Sequence, residues 1–271
     1  ALRPLRTFVA QVEKVQPNNL ADMKITEEVL PEFRQFSDSF NQMLERLDEG
    51  FTAQRQFTGN AAHELRTPLA LMQAQVELFS AEHPDVLPET ADFLRLLREQ
   101  TERMTQMTRT LLEMCGLQAV PCTDHIELGP MIDEIFADLA PLAEKNNVML
   151  EREGDGTMTG SDTLIYRLLF NLTENAIKYN RPGGSVRLSV TPEPEKLLIR
   201  VADTGRGIPE HFQRSVFQPF FRVDKSRSRE YGGVGLGLSL VWEIVKLHGG
   251  TVCVENSSEA GTTVAVSLPL R

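Results

Sequence analysis

Up to Gly116 the apolar residues of this chain recur on a seven-residue beat, and beyond it they do not. Leu5, Phe8, Val12 and Val15 form a first set; after a polar stretch from Pro17, Phe33, Phe36, Phe40, Met43 and Leu47 form a second. That period buries one narrow seam, so both sets read as short coiled-coil helices joined by a connector. A third set, Ala61, Leu65, Met72, Val76 and Phe79, ends in a loop bracketed by Pro84 and Pro88. A fourth carries Phe93, Leu97, Met104, Met107, Leu111 and Met114. The last two sets make an antiparallel helical hairpin. Two helices cannot enclose a core, so the hairpin is expected to pair with a second copy of the chain in a dimeric four-helix bundle.

Past Gly116, turn-rich residues through His125 read as a linker, and strand and helix patterns then alternate. Helices are expected over 130–146, 162–179 and 236–248, and strands over 148–151, 185–190, 197–202, 251–255 and 262–268. Three helices beside a mixed or antiparallel sheet give a two-layer α+β sandwich. The 271 residues thus divide into a helical linker over 1–50, the hairpin over 51–119 and an α+β domain over 120–271.

Composition narrows the function classes. With 28 Lys+Arg against 38 Asp+Glu the net charge is -10, which argues against an extended nucleic-acid surface, since binding a phosphate backbone needs excess positive charge. The three cysteines, Cys115, Cys122 and Cys253, show no metal-ligand spacing and read as buried thiols in a reducing compartment. No apolar run reaches the roughly 18 residues a membrane span requires. The apolar run around 234–247 is broken by Glu243, and no signal peptide is evident. A helical pattern that starts almost at Ala1 reads as a piece of a longer chain.

Three groups of residues carry chemistry. At 100° per residue, His63 lies about 200° from Leu65 and so points away from the apolar seam. Thr67 follows one turn along the same face, Glu64 flanks the ring, and Pro68 removes a backbone N–H and should bend the helix there. An exposed imidazole beside a carboxylate suits a nucleophile or proton carrier; the plain alternative is a surface histidine. The string His-Glu-Leu-Arg-Thr-Pro-Leu, from His63 to Leu69, resembles the H-box of bacterial sensor histidine kinases. The other histidines, His83, His125, His211 and His248, have no such context and read as structural.

In the second group, Asn171 and Asn175 stand four apart with Lys178 three further on, lining one helix face. Amide oxygens are hard, neutral ligands able to fill one or two positions on Mg²⁺ while phosphate and water fill the rest. Lys178 adds a point charge for phosphate oxygens. The string from Asn171 to Tyr179 resembles the N-box of the same kinases, within the ATPase superfamily that includes DNA gyrase and Hsp90. The hydrolases of that superfamily generally carry a Glu where this chain has Asn171. Without that general base the γ-phosphoryl is kept for an acceptor other than water.

The third group is glycine-rich. Asp203-Thr204-Gly205-Arg206-Gly207-Ile208 follows a strand, and a buried carboxylate there can accept from the exocyclic amine of adenine, while guanine offers a carbonyl and is repelled. Gly205 and Gly207 permit close backbone approach. Gly233-Val234-Gly235-Leu236-Gly237-Leu238 opens a helix whose free N–H groups form an anion site. Together these resemble the G1 and G2 boxes. Phe217, Phe220 and Phe221 look like the F-box that anchors a lid hinged at Gly232 and Gly233, with Arg222 as its phosphate contact.

The resemblance covers 51–271 and implies a Bergerat-type ATP-binding domain, ATP and Mg²⁺, autophosphorylation of His63 with Glu64 orienting or deprotonating its ring, and transfer to an Asp of a response regulator receiver domain. It also implies phosphatase activity through Thr67, a homodimer, and a parent protein held in the bacterial cell membrane with this part in the cytoplasm. The first 50 residues resemble a HAMP linker, although Pro31-Glu32 stands where an Asp-Glu pair is usual. Two rivals are a catalytically silent ATP-binding scaffold and a gyrase- or Hsp90-like ATPase.

Overall fold

The computed structural model describes residues 31–117, 120–223 and 235–270. The linker over 1–30, Gly232, Gly233 and the basic run 225–229 lie outside the described residues. Two compact units divide between Glu64 and Leu65.

Helix α1 spans Pro31–Glu82. The second and third apolar sets, expected as separate helices, are therefore one. The breaker between them is Gly50, whose missing side chain faces open space, and a single helical glycine costs only about 1 kcal/mol. Pro68, expected to bend the helix, lies inside it with helix continuing on both sides. In the first unit Ser37, Leu44 and Ala62 are buried, while His63 and Glu64 are exposed.

The second unit takes up α1 at Leu65, turns through His83–Leu87 and continues in α2, Pro88–Gly116. Pro88 opens α2 in its first turn, where a missing N–H leaves nothing unpaired. Thr101, Thr108 and Thr110 are buried on α2 and donate their hydroxyls to backbone carbonyls of the preceding turn. Leu71, Met72, Leu78 and Phe93 are each more than half exposed.

The α+β part runs β1 Asp124–Glu127, α3 Leu128–Asn146, β2 Met149–Gly154, β3 Thr157–Gly160, α4 Asp162–Lys178, β4 Ser185–Pro192, β5 Lys196–Asp203, α5 Gly237–Leu247, β6 Thr251–Ser258 and β7 Gly261–Pro269. The main sheet has the order β2-β4-β5-β7-β6. Only β2 and β4 pair in parallel, and their connection carries α4, as a parallel crossover requires. Alternation decides which strand face is covered: Val186, Leu188 and Val190 of β4 and Leu197, Ile199 and Val201 of β5 are buried. They join Ile132 and Ile135 of α3, Leu168 and Leu172 of α4, and Val241 and Ile244 of α5 in one core.

Two expectations are corrected here. The linker reaching His125 gives way to β1, which pairs antiparallel with β3 from Asp124↔Gly160 to Glu127↔Thr157. Both strands are four residues long, and such short strands gain their identity from each other rather than from local pattern. The cysteines are not all buried: Cys253 is exposed because odd positions of edge strand β6 face solvent, and Cys115 and Cys122 are half-buried. His248 is structural as expected. It is buried, with Nδ1 donating to the Ile244 carbonyl at 2.8 Å and Nε2 accepting from the Ser161 N–H at 3.1 Å. A carbonyl can only accept, so the proton sits on Nδ1 and the ring is neutral.

Candidate functional site

A cavity of about 480 Å³ lies in the second unit, lined by Asn171, Asn175, Lys178, Tyr179, Asp203, Arg206, Gly207, Arg222, Gly235, Leu236 and Gly237 among others. That volume suits a drug- or nucleotide-sized ligand. Three sequence-distant motifs thus meet in one place.

Asp203 ends β5, where its backbone pairs with Thr262 of β7. Its Oδ1 accepts from the N–H of Gly205 at 2.8 Å and of Thr262 at 3.2 Å, which orients the carboxylate and leaves Oδ2 without a partner among the described residues. Burial pushes the Asp203 carboxyl above the ordinary aspartate range, and those two N–H donors oppose the shift. Gly205 itself is outside the lining; its contribution is the N–H, and a Cβ there would stand 2.4 Å from the Tyr179 carbonyl. Gly207 has φ +74°, and a Cβ on it would meet the Ser258 carbonyl at 1.9 Å, so no other residue fits.

The asparagine stripe forms the opposing wall. Asn171 Nδ2 donates to the Arg167 carbonyl at 2.7 Å, fixing the amide and directing its oxygen outward from the helix. Gly237, the first residue of α5, packs so closely that a Cβ would lie 2.9 Å from Asn171 Oδ1. The start of α5, with its unpaired N–H groups, therefore sits directly against Asn171. Lys178, expected to offer a point charge to phosphate, has its Nζ paired with Glu174 Oε1 at 2.8 Å. Gly235, at φ +80°, accepts from the Phe220 N–H at 2.8 Å. Of the F-box residues, Phe217 packs on Trp242 of α5 at 5.9 Å and Phe221 on Phe212 at 5.4 Å, whereas Phe220 is exposed.

Several lining residues carried no signal in the sequence. Thr262 holds Asp203 from a different strand. Arg206 lies over the Tyr179 ring at 5.5 Å. Val201, Val216 and Val264 supply apolar wall beside Ile208 of the glycine string and Phe221 of the F-box, and Glu174, Gln106 and Thr110 also line the cavity. An acidic residue between the two asparagines and a Lys four residues on was the one readable hint. Separately, His63, Glu64 and Thr67 lie on α1 and all three are exposed.

Residues 160–271 match the family described as histidine kinase-, DNA gyrase B-, and HSP90-like ATPase, and residues 53–115 match the His Kinase A (phospho-acceptor) domain. The sensor protein IrlS of Burkholderia pseudomallei is 30% identical over 273 residues, which cover 99% of this chain and 58% of that protein. The sensor histidine kinase CusS of Escherichia coli is 32% identical over 274 residues, covering 99% of this chain and 56% of that protein. This chain belongs to the sensor histidine kinase family. It spans a little over half the length of those two sensor kinases. The fold recurs in full-length ShkA in complex with AMPPNP, at TM-score 0.64 and 20% identity over 79% of this chain and 45% of that one. It recurs again in the histidine kinase ThkA in complex with the response regulator protein TrrA, at TM-score 0.59 and 21% identity over 90% of this chain and 68% of that one. Among the described residues no helix is long and apolar enough to cross a membrane, and no three His, Cys, Asp or Glu side chains group to hold a metal.

Proposed function

We propose that this chain binds ATP in the cavity and phosphorylates His63, then passes the phosphoryl group to an Asp of a response regulator receiver domain. The observation that carries the reading is the convergence of Asn171, Asn175, Asp203, Gly207 and Gly237 on one nucleotide-sized cavity, in a chain that also presents an exposed His63-Glu64 pair on a helix. Asp203 Oδ2, open and negative, accepts from the adenine amine, and the apolar wall of Ile208, Val201 and Val264 takes the ring. The N-terminus of α5 and Arg222 receive the phosphates.

A divalent cation fits the donor set. The oxygens of Asn171 and Asn175 are hard and neutral, and the absence of a carboxylate cluster among the described residues suits a cation held chiefly by phosphate and water. Asn171 and Asn175 would hold Mg²⁺, which supplies neutralisation of phosphate charge. In the transfer itself, the lone pair of a His63 ring nitrogen forms the new N–P bond as the bond from the γ-phosphorus to its bridging oxygen breaks. ADP leaves with that electron pair, and the second ring nitrogen gives its proton to Glu64. Such a reaction rests on positioning and charge neutralisation. Incubating the chain with γ-labelled ATP tests the reading: acid-labile, alkali-stable label on the protein is expected, and a chain that binds ATP without acquiring label is a silent scaffold instead.

The exposed Leu71, Met72, Leu78 and Phe93 favour a homodimer built on the hairpin, because a monomer has no cover for them. Sedimentation at twice 30.4 kDa is the expected result, and a monomer at micromolar concentration argues against it. The resemblance of the first 50 residues to a HAMP linker supports a cytoplasmic signalling part of a membrane-held protein, which fractionation of cells making the intact protein would test.

Thr67 is assigned to the reverse reaction, removal of phosphate from the regulator. Its exposed hydroxyl, one turn beyond His63, can orient a water in line with an aspartyl-phosphate without being a strong base. Thr67→Ala is expected to slow dephosphorylation of the regulator by roughly ten- to a hundredfold while autophosphorylation is retained. Equal loss of both activities, or of neither, returns Thr67 to a structural role beside Pro68.

A further inference from the structure

The second hairpin helix takes part in the cavity, and no kinase motif accounts for that. Gln106 and Thr110 of α2 line it together with Asn171, Asn175 and Gly237. Gln106, Thr110 and Glu113 are spaced four and three apart and so share a face of α2. On α4, Arg167, Asn171 and Asn175 are spaced four apart and share another. The two faces are joined by one ion pair: Arg167 Nη2 donates to Glu113 Oε1 at 2.9 Å, and Arg109 of α2 reaches the same oxygen at 3.3 Å. Both partners of the α2–α4 pair are mostly covered, with side chains 25% and 35% exposed, so the bridge is less screened than an ordinary surface pair. Arg167 is itself tied to the site, since its carbonyl receives the Asn171 amide.

The place of this wall along the ligand follows from α4. Asn171 meets the N-terminus of α5, while Tyr179, eight residues on, meets Gly205 and Arg206 beside Asp203. Eight residues of helix are about 12 Å, so α4 measures the cavity from its phosphate end to its adenine end. Arg167 lies one turn beyond Asn171, which puts α2 at the phosphate end. The chemistry of the two side chains then separates their roles. Thr110 already donates its hydroxyl to the Gln106 carbonyl at 3.0 Å, so it shapes the wall. The side-chain amide of Gln106 has no partner among the described residues and offers two N–H donors.

Resting on the reading of the cavity as an ATP site, we infer that Gln106 is a ligand-binding residue for the terminal phosphoryl group, and that the Glu113–Arg167 pair is the positioning device that holds it there. A neutral amide is suited to this: it donates to an anionic oxygen that is present in the triphosphate and missing from the diphosphate, without fixing the phosphoryl group as a second cation would. Glu113 does not line the cavity, and Arg167 keeps its negative charge compensated near the phosphates.

The test is calorimetry on the full chain with a non-hydrolysable ATP analogue and with ADP. Gln106→Ala is expected to weaken the triphosphate by about tenfold, the loss of one hydrogen bond to a charged group, and to leave ADP within about twofold. Arg167→Met, which keeps the apolar stem and drops the charge, is expected to reproduce that selective loss, and Arg167→Lys to restore most of it. A merely structural Arg167 would weaken both nucleotides together. The inference is overturned if Gln106→Ala changes ATP-analogue and ADP binding equally or not at all, or if Arg167→Met and Arg167→Lys behave alike. Failure of the wild-type chain to bind either nucleotide would be a different result, and would remove the ATP reading itself.

Discussion

His63→Gln is expected to abolish autophosphorylation and to leave nucleotide affinity within a few-fold of wild type. The reason is chemical and spatial. Glutamine keeps the size and polarity of the side chain, yet its amide nitrogen has no available lone pair to attack phosphorus, so the covalent step has no substitute nucleophile. None of the residues lining the cavity belongs to the unit that ends at Glu64, so His63 contributes nothing to the nucleotide's walls. Labelling with γ-labelled ATP measures the first half of the expectation, and titration with a fluorescent ATP analogue measures the second. Label persisting on the variant at the wild-type level would assign the phosphoacceptor elsewhere. A large loss of nucleotide binding would contradict the division of labour between the two sites.

Asp203→Asn should separate stability from function in opposite directions. The asparagine oxygen can still accept from the Gly205 and Thr262 N–H groups, but the second position becomes an amide that competes with the adenine amine as a donor. ATP affinity should fall by about 1–3 kcal/mol, the cost of mispairing a buried hydrogen-bonding group. The free protein should become more stable by about 0.5–1 kcal/mol at neutral pH, since the buried carboxylate is a cost that binding exploits. The direction of its shift supports this. A carboxyl whose folded pKa lies above its unfolded one binds more protons in the folded state, so its charge costs stability above the folded pKa. That cost disappears as pH falls through the window between the two values. The gain from Asp203→Asn should therefore shrink on acidification, and wild-type ATP affinity should begin to decline at a pH above that at which an ordinary aspartate titrates. Thermal denaturation and calorimetry over a pH series check both. A variant that binds ATP as well as wild type would make the adenine assignment wrong, and one that melts lower at pH 7 would remove the stability cost assigned to the buried carboxylate.

Much of the site was legible because its chemistry is local. Asn171 and Asn175 share a face by helical spacing alone, and a helix start at Gly237 follows from glycines before an apolar stripe. The requirement for glycine at 207 is also local in part, through its positive φ. The same locality explains what failed. The break expected between the second and third apolar sets does not appear, because a long helix carries the penalty of one glycine when its other turns are satisfied.

Sequence alone determined the seven-residue seam of the hairpin, the alternating strands of the α+β part, the exposed His63-Glu64 pair and the glycines that allow close backbone approach. Tertiary structure alone decided which remote groups complete them. The Thr262 N–H that orients Asp203 comes from 59 residues away, and β1 exists as a strand only through β3. Gln106 and Thr110 reach the cavity because α2 packs on α5, with the Glu113–Arg167 ion pair bridging α2 to α4. Periodicity reports the face a residue turns toward the core. It carries no information about which other segment will stand across from that face, because that depends on strand pairing and packing between parts of the chain that are far apart in sequence.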